Sequence, residues 1–343
     1  MSLLLPTFLN RLANPGIKTV LLCGCGGGFD FVHGMMLYPE LMRMGKSVVI
    51  SSYSFGLPEK IGGHAPTAFD VDGAIAKKVT ARSKPPDYYC PEVHLCAFLD
   101  EKYPDESPHS VYACYARAFA VPQLKALYTQ LIAEHNIDAV ILMDGGSDSL
   151  MRGDEEGLGD PVEDAVSVAT VAQLDGLKLR LLISTGMGAD RFNHVSDAAT
   201  LRAVAELTES GGFMGSVSIE PQGDALQFYR SCIEHIYSHQ QFRSVIAGMI
   251  LSSAAGHYGG TSVPPLLVER LKPGGFHLWP LMPMLWAFDA GKVAARSLIS
   301  DWIADCHTPR QCAAAIARGR AQIEIRPVEN LPRHEDMRFD LGV

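Results

Sequence analysis

Residues Thr19 to Asp30 read Thr-Val-Leu-Leu-Cys-Gly-Cys-Gly-Gly-Gly-Phe-Asp, an apolar run that breaks into glycines and ends on a carboxylate. A buried strand that ends this way lets backbone N–H groups approach a ligand with no Cβ between them. The design recurs twice. Ala139 to Met143 runs into Asp144-Gly145-Gly146-Ser147-Asp148, and Leu179 to Ile183 into Ser184-Thr185-Gly186-Met187-Gly188-Ala189-Asp190. Three such strand ends predict one composite pocket at the rim of a parallel sheet.

Around them, short apolar runs alternate with helical patterns. Strands are expected at Lys18–Cys23, Ser47–Ser51, Ala139–Met143, Lys178–Ile183 and Phe213–Ile219. Each is bounded by turn residues, as strands covered on both faces are. Helices are expected at Phe31–Met44, Val121–His135, Val162–Leu174 and Asp197–Glu209, the last capped by Ser196. The alternation implies a doubly wound, mostly parallel, Rossmann-like α/β sheet. Ligands of such sheets bind outside the carboxyl ends of the strands, at the topological switch point. Residues 54–108 break the rhythm and read as an irregular insertion able to act as a lid over the pocket. The region 224–320 is helical in pattern, residues 1–325 read as one domain, and 326–343 as a polar tail.

The chain has 343 residues, 47% hydrophobic and 20% charged, with a formal net charge of −9. Backbone binding to nucleic acid needs clustered Lys and Arg, so no nucleic-acid partner is expected. No run of about 18 uncharged apolar residues appears, so no membrane span is expected. The set Leu4, Leu5, Phe8, Leu9 and Leu12 predicts a short amphipathic helix that packs on the body or on a second subunit of a homo-oligomer. No signal peptide is read there. The eight cysteines lack paired zinc spacing and read as reduced thiols of a cytoplasmic protein.

In the first loop, Gly24, Gly26, Gly27 and Gly28 would cradle an anion or ribose, with Asp30 bonding a hydroxyl or a metal. The loop is neither a dinucleotide fingerprint, since Phe29 and Phe31 replace the last glycine, nor a Walker A loop. The plainer alternative is a tight turn for close helix–strand packing. In the second loop, Gly145 and Gly146 are ligand-facing candidates and Asp144 and Asp148 the inward pair for a divalent cation, Mg²⁺ or Mn²⁺. Arg152 would clamp a phosphate or carboxylate. Glu155 and Glu156 read as a solvated loop, and Glu163 and Asp164 as acids suited to a helix N-terminus. In the third loop Gly186 and Gly188 complete the cradle, and His194, four residues after Asp190, is the general acid–base candidate. A capping role for His194 is the alternative. Pro280–Asp289 reads as core or subunit interface.

The loop ending in Asp30, the Asp144-Gly145-Gly146-Ser147-Asp148 loop with its acidic continuation, and the late Pro–Met–Trp–Phe–Asp289 stretch together resemble a family of unknown function. The resemblance spans roughly residues 15–320. It implies a single full-length α/β module and supplies neither an activity nor catalytic residues.

Three functions fit these residues. The first is metal-assisted hydrolysis or group transfer on a nucleotide or phosphorylated sugar, with His194, Asp190 and Arg152 catalytic. The second is a nicotinamide-dependent oxidoreductase or lyase using NAD. It is the weaker reading, because Ser51-Ser52-Tyr53 offers no acid for the ribose. The third is a non-catalytic module that binds a small metabolite.

Overall fold

Val20, Leu21, Leu22 and Cys23 point alternately to opposite faces of one strand, yet none is exposed, so both faces must be covered. A computed structural model, which describes residues 5–332, shows how. Nine strands form one sheet: β1 (Thr19–Gly27), β2 (Ser47–Ser54), β3 (Thr67–Val71), β4 (Ala74–Thr80), β5 (Ser110–Tyr115), β6 (Ala139–Gly145), β7 (Leu179–Thr185), β8 (Phe213–Ser218) and β9 (Met284–Asp289). Their spatial order is β8-β9-β7-β6-β1-β2-β5-β4-β3. The central five, β7, β6, β1, β2 and β5, run parallel. The β3–β4 hairpin extends one edge antiparallel to β5, and β9 pairs antiparallel with β7 and β8 at the other.

Leu22, Ile50, Ile141 and Leu181 face a layer that includes helices Pro91–Lys102, Asp224–His239 and Val245–Ala254. Leu21, Cys23, Val140 and Leu142 face the opposite layer, with Val121–His135, Pro161–Ala172, Asp197–Glu209 and Pro309–Arg320. The chain steps from β1 to β2 and β5 on one side, then returns to lay β6 and β7 on the other side of β1. The switch point therefore lies between the carboxyl ends of β1 and β6. Among the described residues no helix is long and apolar enough to cross a membrane.

Several elements differ from expectation. β1 runs on to Gly27 with an irregularity in its pairing after Cys23, so Gly24 and Gly26 are strand residues rather than loop. Residues 54–108 are largely regular. Asp72 and Gly73, with φ of 51° and 80°, form the two-residue turn of a hairpin that the sequence marks as Asp-Gly. Helix Pro91–Lys102 then packs into the core through Leu95 and Phe98. The stretch Pro280–Asp289, read as core or interface, is buried through Met282, Leu285, Ala287 and Phe288, and its part Met284–Asp289 is the sheet strand β9, which was not expected. The helix expected over Phe31–Met44 breaks into Asp30–His33, Gly34–Met36 and Tyr38–Arg43.

The amphipathic segment forms helix Thr7–Leu12 and buries Phe8 and Leu12 against the body, while Leu4 lies outside the described residues. The stretch read as a polar tail is anchored at its start. Arg326 donates its backbone N–H to Asp154 O at 2.7 Å, and its guanidinium meets Asp154 Oδ1 and Glu155 Oε1, each at 2.8 Å. The rest of that tail, residues 333–343, lies outside the described residues. Glu155, read as solvated, is 4% exposed and depends on these partners. Arg326→Ala leaves a buried carboxylate short of its main cation and is expected to cost about 2 kcal/mol in urea unfolding. A change below about 0.5 kcal/mol would mean the anchor carries no stability.

Candidate functional site

Three strand ends and one helix start bring seven carboxylates to the wall of a single cavity of about 260 Å³ at the switch point: Asp30, Asp144, Asp148, Asp160, Glu163, Asp164 and Asp190. Each is placed by a local device. Asp30 opens helix Asp30–His33 and folds back on the strand ends: Oδ2 accepts from Gly26 N–H at 2.8 Å and Oδ1 from Gly145 N–H at 3.2 Å. Asp144, near the end of β6, accepts from the Ser149 hydroxyl. Asp148 accepts from Asp160 N–H at 2.9 Å, and Asp190 from Ser147 N–H at 2.6 Å. Asp164 lies in the first turn of helix Pro161–Ala172, 5% exposed, and its Oδ1 has no hydrogen-bond partner.

Asp30, Asp144 and Asp164 each present an oxygen, and the three atoms lie within 4.8 Å of one another. Donors of that kind at that spacing suit a hard cation. The glycines make room for them. A Cβ at Gly26 would stand 2.7 Å from Asp164 Oδ1 and 2.9 Å from Asp30 Oδ2. One at Gly145 would stand 2.8 Å from Asp30 Oδ1 and overlap His33 Nε2, and one at Gly146 would overlap the Asp190 carboxylate.

Burial disfavours charge here, and neighbouring acids add to it. Burial first, then the surrounding aspartates, hold Asp30, Asp144, Asp164 and Asp190 well above the usual carboxylate range. Asp148 is pushed up to about 6 by burial. Glu163 is pushed up to about 7, by burial and then by Asp160. Burial lowers His33 to about 3 and keeps its ring neutral. The Cys25 thiol is raised by burial and then by Asp164, which rules out a thiolate at neutral pH.

Of the residues singled out from sequence, Asp30, Asp144, Asp148, Asp190, Gly26, Gly27, Gly28 and Gly145 line this cavity. The others do not. Gly24 is interior to β1, and Gly146 sits behind the Asp190 carboxylate. Gly186 and Gly188, with φ of 78° and 87°, shape the turn after β7 and pack toward Ile246 and Trp279. Arg152 is drawn away by Asp154, 2.6 Å from its guanidinium. His194 is exposed in left-handed backbone at φ 67° and borders Glu155, Glu156 and Gly157 instead. The Gly26 and Gly145 N–H groups, expected to face an anionic ligand, are already taken by the Asp30 carboxyl.

His33 is a wall residue that sequence reading passed over, and Glu163 and Asp164, read only as helix-start acids, stand at the same wall. His33 stands one helical turn after Asp30, and Asp164 shares a helix stripe with the buried Ser167, Val168 and Val171. Those spacings were the available signals.

Fold and site together define a doubly wound α/β protein with an acidic cavity at its switch point. The chain belongs to the family described as "Protein of unknown function (DUF1152)", whose model matches residues 117–327. That span contains Asp144, Asp148, Asp164 and Asp190 and begins after Asp30 and His33, later than the resemblance implied. No curated protein and no solved structure matches the chain.

Proposed function

We propose that the protein is a metal-assisted hydrolase or group transferase acting on a phosphorylated small molecule, a nucleotide or sugar phosphate. Its divalent cation, Mg²⁺ or Mn²⁺, is held by Asp30, Asp144 and Asp164. The observation that carries this reading is Asp164 Oδ1, a buried oxygen without a partner beside oxygens of two further aspartates. Such a cluster is stable only with protons or a cation among its members.

Held by Asp30, Asp144 and Asp164, such a cation would supply Lewis-acid polarisation of a phosphate. The chain's own residues supply the rest. Glu163 and Asp148, both raised by burial in the cation-free protein, line the cavity wall and are placed to take up and return a proton, the part first given to His194. Arg270, at the same wall, replaces Arg152 as the cation facing the phosphate. Phe55, Phe192 and Phe242 offer apolar surface to a base or sugar. The nicotinamide reading loses ground, because a pyrophosphate would compete with Asp30 for the Gly26 N–H. The eight free thiols accord with a reducing, cytoplasmic setting.

Titration calorimetry with Mg²⁺ and Mn²⁺ should give saturable binding to the wild type, tightened by a nucleoside or sugar phosphate. The double variant Asp144→Asn, Asp148→Asn should lose it. Absence of binding by the wild type to either ion ends the proposal, and ion binding without turnover of a phosphate-ester panel would leave a sensor module.

A further inference from the structure

His33 is 1% exposed, lines the acidic cavity, and its Nε2 has no hydrogen-bond partner. Its other ring nitrogen, Nδ1, lies 2.7 Å from Tyr229 Oη, and Tyr229 is itself fully buried. A hydroxyl at that position fixes the ring orientation. With Nδ1–H donating to Oη, the ring's lone pair is on Nε2, the nitrogen left without a partner. Nε2 and Asp30 Oδ1 border the space above Gly145, where a Cβ would meet both. Nε2 stands outside the set of three carboxylate oxygens that lie within 4.8 Å of one another, so ligation requires these donors to close on a bound ion. Metal-ligating histidines characteristically donate their second ring N–H to an oxygen acceptor, most often a carboxylate, carbonyl or water, and Tyr229 Oη stands in that place here.

We infer that His33 Nε2 is a nitrogen ligand to the cation at Asp30, Asp144 and Asp164, so that the site selects a first-row transition ion such as Mn²⁺, Fe²⁺, Co²⁺ or Zn²⁺ over Mg²⁺. The inference rests on the carboxylate site proposed above and assigns the class of ion it takes. Imidazole adds little for Mg²⁺, which prefers oxygen and retains water, and much for the later divalent ions. Tyr229 is a positioning residue: it sets the ring and touches no ion.

The test is electron spin-echo spectroscopy of the full chain loaded with Mn²⁺, alongside affinities for Mn²⁺, Co²⁺ and Mg²⁺. Wild type should show imidazole ¹⁴N modulation, replaced by the ¹⁵N pattern when histidine is isotopically labelled. It should also bind Mn²⁺ and Co²⁺ at least about tenfold more tightly than Mg²⁺. His33→Gln should lose the nitrogen signal and most of that preference while still binding Mg²⁺. Tyr229→Phe, which keeps the ligand, should keep the signal and weaken Mn²⁺ binding by roughly 10-fold or more. Mn²⁺ bound to wild type without nitrogen modulation overturns the His33 assignment and leaves the carboxylate site standing. No bound ion at all overturns both. Because the labelling experiment uses wild type, a misfolded His33 variant does not rescue the idea.

Discussion

Asp164→Asn is expected to weaken divalent-cation binding by at least about 100-fold, a loss beyond that of a supporting residue, while raising the melting temperature of the cation-free protein. Both effects come from one oxygen. Asp164 is buried, its Oδ1 is unpartnered, and Asp148, Asp144 and Asp30 all oppose its charge. Without a cation, ionising it is a cost, and an amide of the same shape removes that cost and adds a donor toward neighbouring acceptors. Replacing uncompensated buried charge is worth about 1–2 kcal/mol here. With a cation the balance inverts, because the charge now completes the donor set. Calorimetry and thermal melts of the variant, with exposed Glu156→Gln as control, separate these effects. Unchanged affinity would remove Asp164 from the site.

The second expected result is a change in the sign of the pH dependence when a cation is added. In the cation-free protein the folded state holds protons on Asp148 up to about pH 6 and on Glu163 up to about pH 7. The unfolded chain releases them near pH 4. Folded pKa values above the unfolded ones mean stability that is complete below about pH 4 and lost as pH rises through about 6 and 7. Asp138, lowered to about 2 chiefly by Lys178, acts in the opposite sense but only on further acidification, outside this window. A cation competes with the same protons, so its affinity should rise about tenfold per pH unit for each proton displaced. Scanning fluorimetry from about pH 5 to about pH 8 should show the melting temperature falling in chelator. The gain on adding Mn²⁺ should widen steadily. A gain that does not change with pH would mean the ion binds away from these acids.

Much of the fold was legible because burial on both faces leaves a plain mark. The runs at Val20, Val140 and Leu181 are apolar without alternation, and all became parallel strands. The edges were less legible. β3 and β4 alternate weakly, and their Asp72-Gly73 turn was the only strong local signal. β9 looks like any apolar segment, since its place beside β7 is decided by contacts more than 90 residues distant in sequence. At the site, acids at the strand ends could be read from sequence, as Asp30, Asp144 and Asp190 were. Asp164 could not be separated from an ordinary helix-start acid, because dipole and cavity favour the same residue type at the same place. His194 and Arg152 looked functional by proximity in sequence. One exposed turn and one competing carboxylate sent them elsewhere.

Glycine-rich strand ends in α/β proteins are usually taken as landing places for negatively charged visitors. In this chain Gly26, Gly145 and Gly146 free volume that the polypeptide fills with its own acids, which inverts the polarity of whatever docks there. Chains sharing this arrangement are therefore better screened first against metal salts and organic amines, with phosphate esters added only once a counter-ion is in place.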